Sequence, residues 1–590
     1  NMPKIKTKWD LNLFYKSASD PQIRKDVEKT KKASLDFEKK YVKKDDYLKT
    51  EDKLLKALQD YEELLLVDGS KPILYFHYRK DINGKDLEAE SNLNKLINEL
   101  TEYENKTLFF GIKLGKIEKK LQEKFLKSKK LAKYRYLLEK TFETSKYDLT
   151  EPEEKIMNLK SLTSYGLWVN GVEKSISKKT VKFKGKTMSV GEAQNKISSL
   201  NTKDRRTLHK DIAEKLELVS DFAESELNAV VLNKKISDEL RGFKNPYSAT
   251  ILGYENNEKS IISLVNTVTD NFKISNRFYA LKKKLLKLKT LEYSDRAAKI
   301  GNTKKKISFD DAVKTLRPIL KEVDSEYVEI LDRMLSKGQI DVYPRLGKTG
   351  GAYASSSTNV PTVVLLNQTD DFNSLLTFAH EMGHAIHSEL SKSQPVIYDG
   401  YTTPVAETAS TFFEQLVFGA IFETLSDKEK VIALHDKIQN DVQTIFRQIA
   451  AFNFETELHN GIRAKGSLSA DEIGELHNKH MKAYLGKSFK MQKIDGLAFV
   501  TWSHFRRFFY VYAYAYGQII SRAMNDKFKE DKSFGKQIKQ FLSAGGSKSP
   551  DNIFKEIGID TRSPDFFKKA LLSIEDDIKK LEQLVKSTKI

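Results

Sequence analysis

Cysteine is absent from all 590 residues, which excludes disulfides and thiolate metal ligands. Proline and glycine are sparse, at 12 and 28, while 31% of the residues are charged and 39% hydrophobic. That balance predicts a helical, soluble chain long enough for more than one core. No stretch approaches the ~18 consecutive apolar residues of a membrane span, so no transmembrane helix is expected. The first fifteen residues lack an apolar core, so no secretory signal is expected and the cytoplasm is the expected compartment. Acidic residues are outnumbered, 82 against 101 Lys and Arg, for a net charge of +19. Such a charge raises nucleic acid or an anionic membrane as a partner. The lysines, however, are interleaved with acidic residues along helical segments, and no nucleic-acid module signature occurs, so a solvated basic surface is expected instead. The densest basic run, Lys282 to Lys289, reads as one helix face.

Against this background one pentapeptide carries chemistry: His380-Glu381-Met382-Gly383-His384, an H-E-x-x-H motif. Residues four apart on a helix lie about 40° apart around its axis, so the two imidazoles project side by side and can grip one ion. Glu381, about 100° round from His380, stands beside the open position of that ion, where a general base is needed. Phe372, Leu375, Leu376, Ala379, Met382, Ala385, Ile386 and Leu390 recur at helical intervals and predict a buried helix. Thr369 to Asp371 form its acidic, capping first turn. Pro361 and the β-branched run Thr362 to Leu366 predict a short strand just before it.

A catalytic zinc takes three protein ligands and keeps a fourth position for water, so a further ligand is required. The extended motif would need glycine at position 387 and histidine at position 390, where His387 and Leu390 stand, and is excluded. The turn-rich segment Gln394 to Pro404 is followed by a new helical pattern carrying Glu407 and Glu414. Glu407 is the expected third ligand. Glu414, about 20° from it on the same face, is the expected hydrogen-bond partner of a ligating histidine. Glu389 is the competitor but falls on the far side of the first helix, and His387 is expected to hydrogen-bond near the site.

The segments His380 to His387 and Val405 to Ser410, with a histidine and tyrosine-rich stretch far downstream, resemble the thimet-type zinc oligopeptidases, and in particular the oligoendopeptidase F branch. Gly350 to Tyr353, Leu240 to Pro246 and Trp9 to Leu11 resemble that branch too, so the likeness spans nearly the whole chain. Pro404, where the thimet branch has an aspartate, favours the F branch. The resemblance implies one zinc per chain, and an oxyanion stabilised by His504 and two tyrosines. Tyr510 and Tyr514 are favoured over Tyr512 and Tyr516, with a one-residue shift from the thimet spacing. It also implies that the segment before the zinc helix helps to hold an extended substrate backbone.

The remaining chain sets the frame. From Asp20 to about Leu159 the pattern is Lys/Glu-rich and helical. Lys184-Gly185 between Val181 and Met188 predicts a hairpin. The expected fold is mainly α, with two helical lobes enclosing a zinc-containing substrate cavity and a small β element beside the active-site helix. The expected division is an N-terminal helical lobe over 1–195 ending in the hairpin and a catalytic lobe over 196–590. Gly347-Lys348-Thr349 is not a phosphate loop, because that motif requires glycine where Val342 stands. His477 and His480 are expected at the surface. Trp502 to Tyr516 reads as one aromatic helix.

The function expected is zinc-dependent cleavage of internal bonds in short unfolded peptides, by a monomer or small homo-oligomer, with Glu381 as base and no nucleic-acid or membrane partner. A zinc carboxypeptidase or dipeptidyl carboxypeptidase is the rival among enzymes, and a non-catalytic zinc-stabilised helical binding protein the rival outside them.

Overall fold

The computed structural model describes residues 1–67, 69–303 and 305–589, and they are mostly helical with three small sheets. The chain forms two compact units, each assembled from three segments: 1–146, 304–420 and 524–553 in the first, and 147–303, 421–523 and 554–590 in the second. The expected division at residue 195 does not coincide with these units. Three of the crossings from one unit to the other fall within continuous helices, Thr403–Phe422, Tyr512–Glu530 and Pro550–Glu556, where no linker composition marks the change.

In the first unit, helices α1 (Phe309–Val323) and α2 (Ser325–Lys337) lead into strand β1 (Ile340–Asp341). Gly338 closes α2 in the left-handed region, at φ +72°, a conformation that glycine adopts without a Cβ penalty. Strands β2 (Tyr353–Ser357) and β3 (Val360–Leu365) follow, then helices α3 (Phe372–Ser391) and α4 (Thr403–Phe422). The sheet order is β1-β3-β2: β3 lies in the centre, parallel to β1 and antiparallel to β2. The β-branched run thus forms the strand expected of it, and β2 is left at an edge.

The N-terminal segment completes this sheet. Val342 donates to the carbonyl of Thr7, and the indole of Trp9 donates to the carbonyl of Val364 at 2.8 Å. Trp9, Phe14, Tyr75, Phe76 and Tyr78 share one core with Val360, Val363 and Leu365. Beneath it, Asp341 is fully buried and accepts from the Trp9 amide, Arg345 and Lys348. Burial alone would raise its pKa, but these donors hold it below the usual carboxylate range. The lysine of the rejected phosphate loop is therefore a structural counter-ion.

The second unit contains the expected hairpin, Thr180–Phe183 paired with Lys186–Ser189. Lys184 and Gly185 both have positive φ, as a two-residue type I′ turn requires. Three expectations change in this unit. Lys282 is buried and donates to Gln439, and burial pulls its pKa down to about 7, so the basic run is not a fully solvated face. His477 is fully buried against Tyr293 and Phe454, while His480 pairs with Glu457 at 2.5 Å. Trp502 to Tyr516 is not one helix: a 3-10 turn over Ser503–Arg506 is followed by Phe508 and Phe509 in left-handed conformation, and helix resumes only at Tyr512. Among the described residues no helix is long and apolar enough to cross a membrane.

Removing the charge of Asp341 leaves Lys348 buried without its partner, so Asp341→Asn should destabilise the first unit by about 3–5 kcal/mol. Thermal denaturation of the full chain should show a transition lowered by several degrees; an unchanged profile would contradict the role given to this cluster.

Candidate active site

Helix α3 begins where Asp371 accepts the amide of Ser374 at 2.8 Å, so its first turn is capped as expected. Its apolar face, including Leu375, Phe378, Ala379, Met382 and Ile386, is fully buried, which fixes the rotation of the helix and therefore the direction of both histidines. Gly383 lies between them. A Cβ at that position would stand 2.9 Å from the Cα of Ser410 and 2.9 Å from the Phe413 ring, so α4 can approach α3 only because the residue is glycine.

That approach brings Glu407 to the two imidazoles. His380 Nε2 lies 3.8 Å from one Glu407 oxygen and His384 Nε2 lies 3.7 Å from the other. One ligand atom from each of the three lies within 4.8 Å of the others. Ligands bound tetrahedrally at ~2.0–2.1 Å stand about 3.3 Å apart, so a small inward movement suffices to hold a zinc-sized ion. The group could hold a metal, and two nitrogens with one carboxylate suit zinc. Glu389 is not part of it and pairs with Arg333 at 3.3 Å.

Around this triad the electrostatics are set by burial. Glu414 lies 2.9 Å from His380 Nδ1, placing the second nitrogen of that ring on a carboxylate. Burial works to lower the pKa of His380, but the hydrogen bond and charge of Glu414, joined by Glu381 and Glu407, carry it up to about 9. Burial and the neighbouring His380 charge pull His384 down to about 3. Glu381 is buried at 7% exposure. Burial pushes it up to about 7; Glu407 and Glu414 add to that, while His380 and the amide of Ala354 oppose it. The amide of Ala354 belongs to the edge strand β2, so the sheet positions the carboxylate of Glu381. His387 does not hydrogen-bond near the site as expected. It is fully buried, stacked on Tyr401 at 3.7 Å, and neither ring nitrogen has a hydrogen-bond partner among the described residues.

His504, Tyr510 and Tyr514 belong to the second unit and cluster there. His504 Nε2 lies 3.2 Å from the Tyr514 hydroxyl, the Tyr510 ring stacks parallel to the imidazole at 5.7 Å, and the two tyrosine rings meet edge-on at 5.3 Å. Tyr512 and Tyr516, the other candidate pair, are fully buried, and the Tyr512 hydroxyl bonds to Asn256. The cluster depends on the left-handed turn at Phe508 (φ +36°) and Phe509 (φ +61°). Such residues cost about 1–3 kcal/mol each and need outside support. It comes from Glu455, which accepts the Phe509 amide at 2.8 Å, and Thr250, which donates to the Phe508 carbonyl at 2.7 Å. Neither supporting residue carries a sequence signal that points to this turn.

A buried H-E-x-x-H helix crossed by a glutamate-bearing helix, in a mainly α chain, is the arrangement of a peptidase. Residues 199–572 match the model of peptidase family M3 and residues 113–170 that of oligopeptidase F; the chain belongs to peptidase family M3, in its oligoendopeptidase F group. It is 27% identical to an oligoendopeptidase F homolog of Borreliella burgdorferi, over 94% of each chain. To oligopeptidase PepF of Bacillus subtilis it is 25% identical, over 91% of this chain and 82% of that one. Among solved structures, the fold matches a candidate peptidase from Chlamydophila abortus with a TM-score of 0.86 at 23% identity, covering 99% and 100% of the two chains. Oligoendopeptidase F from Enterococcus faecium matches at 0.68 and 17% identity, covering 96% and 98%.

Two outcomes follow from this geometry. Gly383→Ala should force α4 away from α3 at an overpacking cost of about 1–3 kcal/mol, weakening divalent-metal binding about ten- to hundredfold in chelator competition while helix content is retained; unchanged affinity would mean that α4 does not need the glycine to approach α3. Because His380 holds a proton up to about pH 9 in the metal-free protein, a metal must displace one proton from it. Apparent affinity should therefore rise about tenfold per pH unit below that value and flatten above it, as read by calorimetry across pH; a flat profile would contradict the assignment.

Proposed function

We propose that this peptidase is a zinc-dependent oligoendopeptidase that hydrolyses internal bonds of short, unfolded peptides, with one zinc per chain held by His380, His384 and Glu407. The observation that carries the reading is the convergence of those three donors beside a buried Glu381 whose carboxylate is held by the Ala354 amide. Zinc bound there supplies a Lewis acid for the scissile carbonyl and lowers the pKa of a water toward about 7. Glu381 takes the proton of the attacking water and returns it to the leaving amine, and a bound cation beside it favours the ionised carboxylate that this task needs. Glu414 keeps the His380 ring oriented through Nδ1. Strand β2 lies at the edge of its sheet, the position at which an extended peptide can add to a sheet, which is in keeping with endopeptidase binding along the substrate backbone. His504, with Tyr510 or Tyr514, stabilises the oxyanion in this reading, on the strength of the family pattern and of their mutual contacts. A cytoplasmic monomer or small homo-oligomer, with no nucleic-acid or membrane partner, completes the proposal.

A carboxypeptidase or dipeptidyl carboxypeptidase would use the same donors but needs a free substrate C-terminus. A zinc site that only stabilised a binding protein would close all four positions with protein ligands, and the described donor group has three. The deciding assay uses a short quenched fluorescent peptide blocked at both ends. Internal cleavage abolished by a chelator and restored by zinc is expected; cleavage only of peptides with a free C-terminus would transfer the reading to the exopeptidases. In the same assay Glu381→Gln should keep its zinc and lose at least about 10²-fold in kcat, and near-normal turnover would remove Glu381 from the mechanism.

A further inference from the structure

The ring of His504 has two nitrogens, and its neighbours decide which one carries the hydrogen. The indole Nε1 of Trp502 lies 3.1 Å from His504 Nδ1. An indole nitrogen donates and does not accept, so Nδ1 must be the acceptor and bears no hydrogen. In a neutral imidazole the hydrogen then sits on Nε2, 3.2 Å from the Tyr514 hydroxyl oxygen. Nε2–H donates, the Tyr514 oxygen accepts, and the proton of that hydroxyl is directed at a different acceptor. A doubly protonated ring would set two N–H groups against each other at the indole. The neutral form is also the one favoured by burial and by the charges of Arg507 and Arg447, which lower the His504 pKa.

Trp502 is itself held in place. It is 9% exposed, its ring lies 4.5 Å from that of Phe505, and the Arg447 guanidinium stacks over the indole face at 4.0 Å. Arg447 is the last residue of a π-helical segment, Val442–Arg447, and such insertions recur at functional sites.

We propose that Trp502 is a positioning residue: its indole N–H fixes neutral His504 with hydrogen on Nε2, and this turns the Tyr514 hydroxyl proton toward the carbonyl oxygen of the bound peptide. The second half rests on the assignment of His504 and Tyr514 to the oxyanion made above; the first half does not. It gives the two residues an order, with Tyr514 as the terminal donor and His504 behind it.

The test is nitrogen NMR of the zinc-loaded full chain labelled with ¹⁵N-histidine, with the His504 signals identified by their loss in His504→Gln. The wild-type protein should show a pyridine-like Nδ1 and a protonated Nε2. In Trp502→Phe, which keeps an aromatic ring and removes the donor, the two tautomers should mix, and kcat should fall roughly tenfold with KM unchanged, less than the loss of a whole oxyanion donor. Hydrogen on Nδ1 in the wild type, or an unaltered tautomer in Trp502→Phe, would overturn the proposal. The wild-type spectrum decides the first point even if the variant does not fold. A shifted tautomer with unchanged peptide cleavage would leave the indole's role standing and remove His504 and Tyr514 from the reaction, which separates failure of this inference from failure of the functional reading.

Discussion

The candidate centre depends on how closely two helices can approach. A carboxylate side chain is short, and Glu407 reaches the imidazoles of His380 and His384 only because α4 lies against α3 at Gly383, where a Cβ would collide with the backbone of Ser410. The rest of the first unit serves that crossing. The buried faces of Leu375, Phe378 and Met382 set the rotation of α3, and the three-stranded sheet, backed by Trp9 and the Asp341 ion cluster, places the Ala354 amide on Glu381. A pentapeptide becomes a candidate site because the packing around it leaves so little freedom.

Burial gives that geometry its chemistry. Three carboxylates and two imidazoles share a partly dehydrated space, where charges act at a fraction of the dielectric of water. Without a cation the cluster raises His380 and Glu381 above their ordinary pKa values and suppresses His384. An excess of negative groups around the two imidazoles, which holds a proton on His380, is the condition under which a divalent cation is favoured in that proton's place. In the second unit burial acts differently: His504 is kept neutral, and its directionality comes from a single indole hydrogen bond.

Much of the first unit was legible in the sequence because its signals are local. Periodicity marked α3 and the face shared by Glu407 and Glu414, Asp371 marked a cap, and the β-branched run marked β3. What was not legible depends on distant partners. The left-handed pair Phe508 and Phe509 contains neither glycine nor asparagine, so nothing local breaks the apparent aromatic helix; the turn is held by Glu455 and Thr250 from remote segments. His387, His477 and Lys282 read as polar and proved to be buried, since their cover is supplied by Tyr401, Tyr293 and Gln439 far along the chain. Two lobes were expected, but their bounds escaped notice for a related reason: three of the crossings between units fall inside helices, where composition does not shift.

The proposed zinc centre takes three protein ligands from α3 and α4 and leaves one position open. X-ray absorption of the full chain loaded with one equivalent of zinc tests it most directly. Two imidazole nitrogens at about 2.0–2.1 Å, one carboxylate oxygen and one light-atom ligand from solvent are expected, with the carboxylate contribution lost in Glu407→Ala. Four protein ligands, or a spectrum unchanged by that substitution, would contradict it.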